Sequence, residues 1–345
     1  VAAAFALAAC VADLALPDAG DAARLRMALD RAEQVHLFVT RGLQARSARW
    51  PFPWQERVQM LLAGLPQDDR ARVQATPLRE HYDAARTLAL LAAGAHGRGL
   101  GGQDAVLWLL PDALAAAHDA WPSRWTVERT GDPDAAAAAA LARLYAAGEP
   151  GLELPALQLV LAPGSVAAVQ AWLGTPAFAD LRDEWHKIRE EQAVWARVPW
   201  PVTLVTVDAV VQAAGQVLLI RRGRAPGRGL WALPGGFLET GDTVLQSAVR
   251  ELAEETGLSW TPAQVRQALR GVKVFDHPAR SQRGRIVNHA HFFDLGSAAP
   301  PPVAGGDDAA EARWVPLAEL AALETQLHDD HFHILDSFLG LVPSP

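Results

Sequence analysis

Cysteine is almost absent: Cys10 is the single one in 345 residues, so no intrachain disulfide can form. That scarcity suits a reducing, cytoplasmic location. Positive charge is also in deficit. Arg and Lys number 31 against 39 Asp and Glu, for a formal net charge of -8. A broad basic face for phosphate backbones is therefore not expected, and neither is a nucleic-acid partner. No hydrophobic run has the length of a membrane span. The apolar, Ala-rich stretch Val1–Leu16 is interrupted at Asp13 and lacks the basic leader of a signal peptide, so it is expected to be a buried strand, with no membrane association. No internal repeat stands out. What remains is an ordinary globular composition, half hydrophobic and one-fifth charged, with enough length for two domains.

Up to about residue 195, short apolar runs alternate with Ala/Leu/Arg-rich helical patterns. Val35–Val39, Ala105–Leu110 and Leu157–Leu161 are expected to be strands, and Gln55–Leu65 and Tyr82–Ala93 helices. Strands separated by helices predict a parallel α/β sheet. The alanine tract Ala135–Ala140 is expected to be a surface helix. A charge-rich helix over Ala179–Trp195 leads into Val198-Pro199-Trp200-Pro201, where two prolines stop helix growth. This gives an expected division into 1–195, a linker at 196–201, and 202–345. Beyond the linker the pattern turns β-branched. Thr203–Val211 and Gln216–Ile220, separated by Ala213-Ala214-Gly215, are expected to form a hairpin.

The chemistry is concentrated between Gly236 and Leu258. Gly235-Gly236 makes a turn, and Asp242 precedes a helical pattern that it is expected to cap. Leu245, Val249, Leu252 and Thr256 recur at helical spacing and should face a core, and Gly257 stands where a left-handed turn ends a helix. Glu251, Glu254 and Glu255 fall on another face at i, i+3 and i+4, where their charges repel. A solvated acidic face would tolerate this. So would a site for a hard divalent cation, Mg²⁺ or else Mn²⁺, which prefers oxygen ligands. The glycine turn before the acids and Arg250 beside them favour the cation.

The whole segment resembles the Nudix box: a glycine, five residues, an acid, seven residues, then Arg-Glu-apolar-any-Glu-Glu-any-Gly-apolar. Asp242 is the one departure, standing where that family usually has Glu. The resemblance implies metal binding by Glu251, Glu254 and Glu255, with Arg250 orienting a carboxylate and Gly235 and Gly236 letting backbone approach the phosphates. Phe275–Arg285, Gly305–Ala309, Ala312–Pro316, Thr206–Val211 and His331–Leu335 further resemble the C-terminal half of the bifunctional nicotinamide-mononucleotide adenylyltransferase/ADP-ribose pyrophosphatase family. That implies a Rossmann-like nucleotidyltransferase-type domain followed by an α+β Nudix domain, an α/β/α sandwich around a mixed sheet. It also implies hydrolysis of ADP-ribose to AMP and ribose 5-phosphate by a homodimer. Arg280, Arg283 and Arg285 are candidates to clamp phosphate or ribose oxygens, against an exposed basic loop. Asp307, Asp308 and Glu311 are candidate bases or simple turn caps, with Asp308 the substrate-side choice. Trp231, His331 and His333 are expected to be structural.

The N-terminal half carries the resemblance with its chemistry stripped. Pro51-Phe52 and Glu56-Arg57 resemble that family's transferase segment, but its His-any-Gly-His signature falls on Asp18-Ala19-Gly20-Asp21. Carboxylates there repel a transferring phosphate. Of the second signature only Arg143 remains, and Thr40-Arg41 replaces an expected Gly-Ser pair. No adenylyltransferase activity is expected from 1–195. Two alternatives to an ADP-ribose pyrophosphatase stay open: a metabolite-sensing regulator without turnover, and a hydrolase of another nucleoside diphosphate such as NADH or a sugar nucleotide.

Overall fold

The first half of the chain alternates strand and helix: β1 (Phe5–Ala12), α1 (Ala19–Arg31), β2 (Ala32–Val39), α2 (Trp54–Leu62), α3 (Gln67–Ala71), β3 (Val73–Pro77) and α4 (Ala84–His96). It continues with β4 (Val106–Leu110), α5 (Asp112–Ala115), β5 (Trp125–Arg129), α6 (Ala135–Ala146), α7 (Leu154–Leu157), α8 (Pro163–Trp172) and α9 (Pro176–Trp195). These come from a computed structural model, which describes residues 4–96, 105–118, 121–131 and 135–342.

The five strands are parallel, in the order β3-β2-β1-β4-β5. This is the doubly wound, Rossmann-like arrangement. Helices cover both faces, so strand residues of either parity are buried and the strands read as continuous apolar runs. Ala8, Leu37 and Leu107 pack with Leu25 and Leu29 of α1 and Leu61 of α2. Ala9, Phe38 and Trp108 pack with Leu88 and Leu91 of α4 on the opposite face.

Two expectations fail here. Leu157–Leu161 is not a strand: α7 ends at Leu157, Leu159 is 83% exposed, and only Leu161 makes an isolated bridge, to Asp18. A five-residue apolar run does not distinguish strand from turn by its pattern. Here it buttresses the entry to α1, with Ala19 N–H bonded to the Val160 carbonyl and Ala162 N–H to the Pro17 carbonyl. The alanine helix is also not purely a surface element. It runs on to Ala146, and Ala137, Ala140, Leu141 and Leu144 are buried.

The second half contains β6 (Leu204–Ala213), β7 (Gln216–Arg222), β8 (Trp231–Ala232), β9 (Gly235–Phe237), α10 (Val244–Thr256), α11 (Pro262–Ala268), β10 (Leu269–Phe275), β11 (Ile286–Asp294), β12 (Ala309–Pro316) and α12 (His331–Leu339). Its mixed sheet has the order β10-β11-β6-β7-β12, with β8 on β7 and β9 on β6; β6 and β11 are parallel and the other pairs antiparallel. Alternation sorts the core. Ala209, Val211 and Leu218 pack with Leu252 of α10 and Val265 of α11, whereas Val210, Val217 and Leu219 pack with Phe332, Ile334 and Leu335 of α12. The result is the expected α/β/α sandwich.

The chain divides into two compact units, Val1–Arg182 and Asp183–Ser344. The division falls within α9 rather than at Pro199 and Pro201, because the later part of that helix is bonded into the second unit. Gly227 N–H donates to Glu184 at 2.8 Å, Gln192 to the Gln282 carbonyl at 2.8 Å, and Arg283 to Glu191 at 2.7 Å.

Candidate active site

The site is built on α10. Its first turn is closed by a capping box, with Gln246 N–H on the Thr243 hydroxyl and Thr243 N–H on the Gln246 side-chain oxygen. The cap is therefore Thr243 and not Asp242. Asp242 lies one residue too early, and its carboxylate instead accepts from the Ser247 hydroxyl (3.0 Å) and Arg250 Nε (3.3 Å). Gly257 ends the helix at φ 72°, a left-handed conformation that disfavours a Cβ. Leu252 and Thr256 are buried, and Leu245 and Val249 half-buried, along the expected core-facing stripe.

Arg250 gathers acids. Its guanidinium pairs with Glu251 at 3.0 Å and Glu254 at 2.7 Å as well as with Asp242. Glu255 points elsewhere. It is 5% exposed and accepts the Gly235 N–H at 2.9 Å, tying the helix to the glycine turn. Glu251 lies over the same turn, where a Cβ at Gly236 would come within 2.5 Å of its Oε1. A Cβ at Gly235 would strike the Val207 carbonyl at 2.2 Å and Asp208 Oδ1 at 2.3 Å. Gly235 is thus required by close approach to backbone, whereas a side chain at Gly236 would displace the Glu251 carboxylate.

Burial pushes the Glu255 carboxyl up to about 8, against the pull of the Gly235 N–H, and raises Glu251 against the pull of Arg250. Among the described residues no three acid, His or Cys side chains already surround one point in the manner of a metal site. Arg250 holds Glu251 and Glu254, and Gly235 holds Glu255. The donors nevertheless fit a hard divalent cation. They are carboxylate oxygens, two of them desolvated, beside a turn without side chains.

Further polar residues lie around the glycine turn, and one of them, Asp208, the sequence did not single out. Asp208 of β6 is buried, accepts from the Asn288 amide, and is pushed by desolvation up to about 7. Its signal was a lone acid inside an apolar strand. Leu233 N–H donates to His331 Nδ1 at 2.8 Å, so His331 is structural as expected. Trp231 is buried strand packing, with the Arg313 guanidinium 4.1 Å from its ring centroid.

The predicted substrate residues separate. Arg280 is buried in a two-pronged pair with Asp330 at 2.9 and 2.7 Å, so it is an interior brace and not a loop cation. Arg283 is half-buried, paired with Glu191, its guanidinium 4.7 Å from the Phe237 ring centroid. Arg285 donates to the Asp276 carbonyl. Asp308 is half-exposed and pairs with Arg224 at 2.7 Å. Its loop is seated on the end of α10 by Gly306 N–H on the Glu255 carbonyl and Ala304 N–H on the Thr256 carbonyl, both 3.1 Å. Asp307, at φ 46°, is close enough for its charge to raise Glu251.

In the first unit, the family signature positions hold one another. Asp21 N–H donates to Asp18 at 2.8 Å and Asp18 N–H to Asp21 at 3.0 Å, a reciprocal cap on α1, and Arg24 pairs with Asp21. The cavity beside them, lined by Cys10, Asp21, Arg24, Leu25, Leu61 and Thr130 among others, measures about 20 Å³. That holds about one water molecule. Arg143 pairs with Glu153 at 2.6 Å, and Arg57 is buried on the Asp13 and Arg41 carbonyls.

Residues 202–338 match the NUDIX domain family. The ADP-ribose pyrophosphatase of Methanocaldococcus jannaschii is 35% identical over 135 residues, which span 39% of this chain and 72% of that protein. The chain belongs to the Nudix family. Its second unit is a Nudix pyrophosphatase domain, and Nudix hydrolases work with divalent metals. The ADPR responsive transcriptional repressor NtrR of Acinetobacter baylyi is 32% identical over 149 residues, covering 41% of this chain but only 56% of that protein. A bifunctional NMN adenylyltransferase/ADP ribose pyrophosphatase from Francisella tularensis superposes on 97% of this chain and 99% of its own with a TM-score of 0.84. At 23% identity this shows a shared two-domain fold. Among the described residues no helix is long and apolar enough to cross a membrane.

Proposed function

We propose that the Nudix unit hydrolyses ADP-ribose to AMP and ribose 5-phosphate, and that the N-terminal unit has no adenylyltransferase activity. The observation that carries the first statement is the box itself: Glu251 and Glu255 brought by α10 onto a side-chain-free glycine turn. The M. jannaschii relative supports ADP-ribose as the substrate.

Glu251, Glu254 and Glu255 would hold Mg²⁺, with Mn²⁺ the alternative, and the bound cation supplies charge neutralisation at the diphosphate and acidifies water. Arg250 keeps Glu251 and Glu254 oriented while their mutual repulsion is unrelieved. The Gly235-Gly236 backbone leaves room for phosphate oxygens. Arg283 and Arg285, half-buried beside the site strands, are the cations offered to phosphate or ribose oxygens; Arg280 serves by bracing Asp330. Asp307, whose charge acts on Glu251, is offered as general base, with Asp308 and Glu311 on the same segment as alternatives. For the N-terminal unit, Asp18 and Asp21 present carboxylates where the resemblance expects histidines, and the two are spent on capping α1.

The test is turnover by purified protein with Mg²⁺ on ADP-ribose, on NADH, and on nicotinamide mononucleotide plus ATP. ADP-ribose is expected to give AMP, with no NAD formed from the third pair. Glu251→Gln and Glu255→Gln are expected to lose at least about 10²-fold in kcat while still folding, as read by circular dichroism. The repressor relative favours one other reading, a sensor. Tight ADP-ribose binding without turnover would establish it.

A further inference from the structure

Strand register carries the site beyond the acids. Gly236 pairs with Val207, Val207 with His289, and His289 with Val274, one row crossing β9, β6, β11 and β10. Residues in such a row point to one face of a sheet. That face is the one on which Glu251 approaches Gly236. α10 packs over β9 and β6, and α11 covers part of β11. Past them the row opens. Val207 is fully buried, His289 is half-buried, and Val274 is 53% exposed. Val272, two residues along on the same face, is 47% exposed and pairs with His291, which is buried and donates from Nδ1 to the His289 carbonyl.

The two valines exposed side by side on one strand make a small apolar platform at the end of the row. A second copy pairing along the β10 edge is disfavoured by that edge itself. It has an irregular register between Leu269 and Gly271, and Lys273 lies between the valines with its ammonium on Ser337. The apolar surface lies on the face and not along the backbone edge. It begins at the row of Gly236 and ends three strand spacings away, about 14 Å, the reach of an extended nucleotide.

We propose that the aromatic base of the nucleotide substrate lies on a shelf made by Val272, Val274 and His289, while its diphosphate is held at Gly236. This rests on the pyrophosphatase reading and adds to it a site for the base. A flat π-system on two β-branched side chains gains from burial, and the imidazole supplies an edge for hydrogen bonding.

The experiment compares inhibition of ADP-ribose hydrolysis by AMP, which carries the base, and by ribose 5-phosphate, which does not, using the full chain with Mg²⁺. In Val272→Ser/Val274→Ser the AMP inhibition constant should rise roughly tenfold, the loss expected for the apolar area removed. The ribose 5-phosphate constant should stay unchanged, and KM for ADP-ribose should rise more than kcat falls. Val274→Leu, which keeps the apolar area, should raise the AMP constant less than the double serine variant does. If the double variant does not fold, Val274→Thr, which keeps the branched shape, is read in its place. Equal movement of both constants, movement of neither, or a change of sedimenting mass marking an interface between copies would overturn the proposal. Should the native chain turn over no ADP-ribose, the pyrophosphatase reading fails separately, and AMP calorimetry decides the shelf. Weaker AMP binding by the double variant would uphold it, and equal or absent binding would reject it.

Discussion

Glu255 and Asp208 are carboxyls stripped of water on either side of one glycine turn, and their protons should govern how the metal-free protein responds to pH. Burial raises Glu255 from 4.5 to about 8 and Asp208 from 3.8 to about 7. Between the ordinary carboxyl range and these values the folded state holds protons that the unfolded chain releases. Stability is therefore lost as pH rises through this window and is fully present below it. In chelator, the urea midpoint should be lower at pH 8 than at pH 5.5. Glu255→Gln should flatten that dependence, and Mg²⁺ should restore the midpoint at pH 8. A midpoint independent of pH in the native protein would show that neither carboxyl keeps its proton. Glu251, Glu254 and Glu255 were legible as a motif, because chemistry demands those types at those spacings. Asp208 was not singled out, since one acid in an apolar strand acquires meaning only when β9 lays Gly235 against it.

Helix α10 shows the limits of reading an element from its pattern. Its length, apolar stripe and glycine stop follow from local preferences, and the structure keeps all three. The cap differs by one residue, because Asp242 is drawn to Arg250 and Ser247 on the next turns while Thr243 and Gln246 satisfy the first N–H groups. Thr243→Ala should cost about 1 kcal/mol by thermal or chemical melting. Gly257→Ala should cost a similar amount, about 1 kcal/mol, through its positive φ. Asp242→Ala should melt with a smaller loss than Thr243→Ala if the capping assignment is right, and the reverse order would return the cap to Asp242. Residues 157–161 show the complementary failure. Their composition suits a strand, but they follow a helix and serve as a buttress for the loop before α1.

For the whole molecule, the first unit presents a Rossmann-like sheet with its signature positions turned to a structural use. Asp18 and Asp21 cap α1 reciprocally, so Asp18→His with Asp21→His should remove a cap and destabilise that unit by about 1 to 2 kcal/mol. It should create no NAD synthesis, because Arg143 is engaged with Glu153 and the second signature is otherwise missing. NAD formation by that double variant would reverse the assignment.

Local chemistry was enough to determine the two-part α/β organisation and the acidic helix with its glycine boundaries. Each depends on neighbours within a few residues or on a motif whose spacing is itself the signal. The tertiary structure alone decided which charges face one another. Arg280, 50 residues from Asp330, became an interior brace. Asp307 was carried to Glu251 by a loop hydrogen-bonded to the end of α10. Val274 came into the row of Gly236 through three strand pairings. Burial and long-range pairing set these outcomes, and neither is a property of a residue's neighbours along the chain.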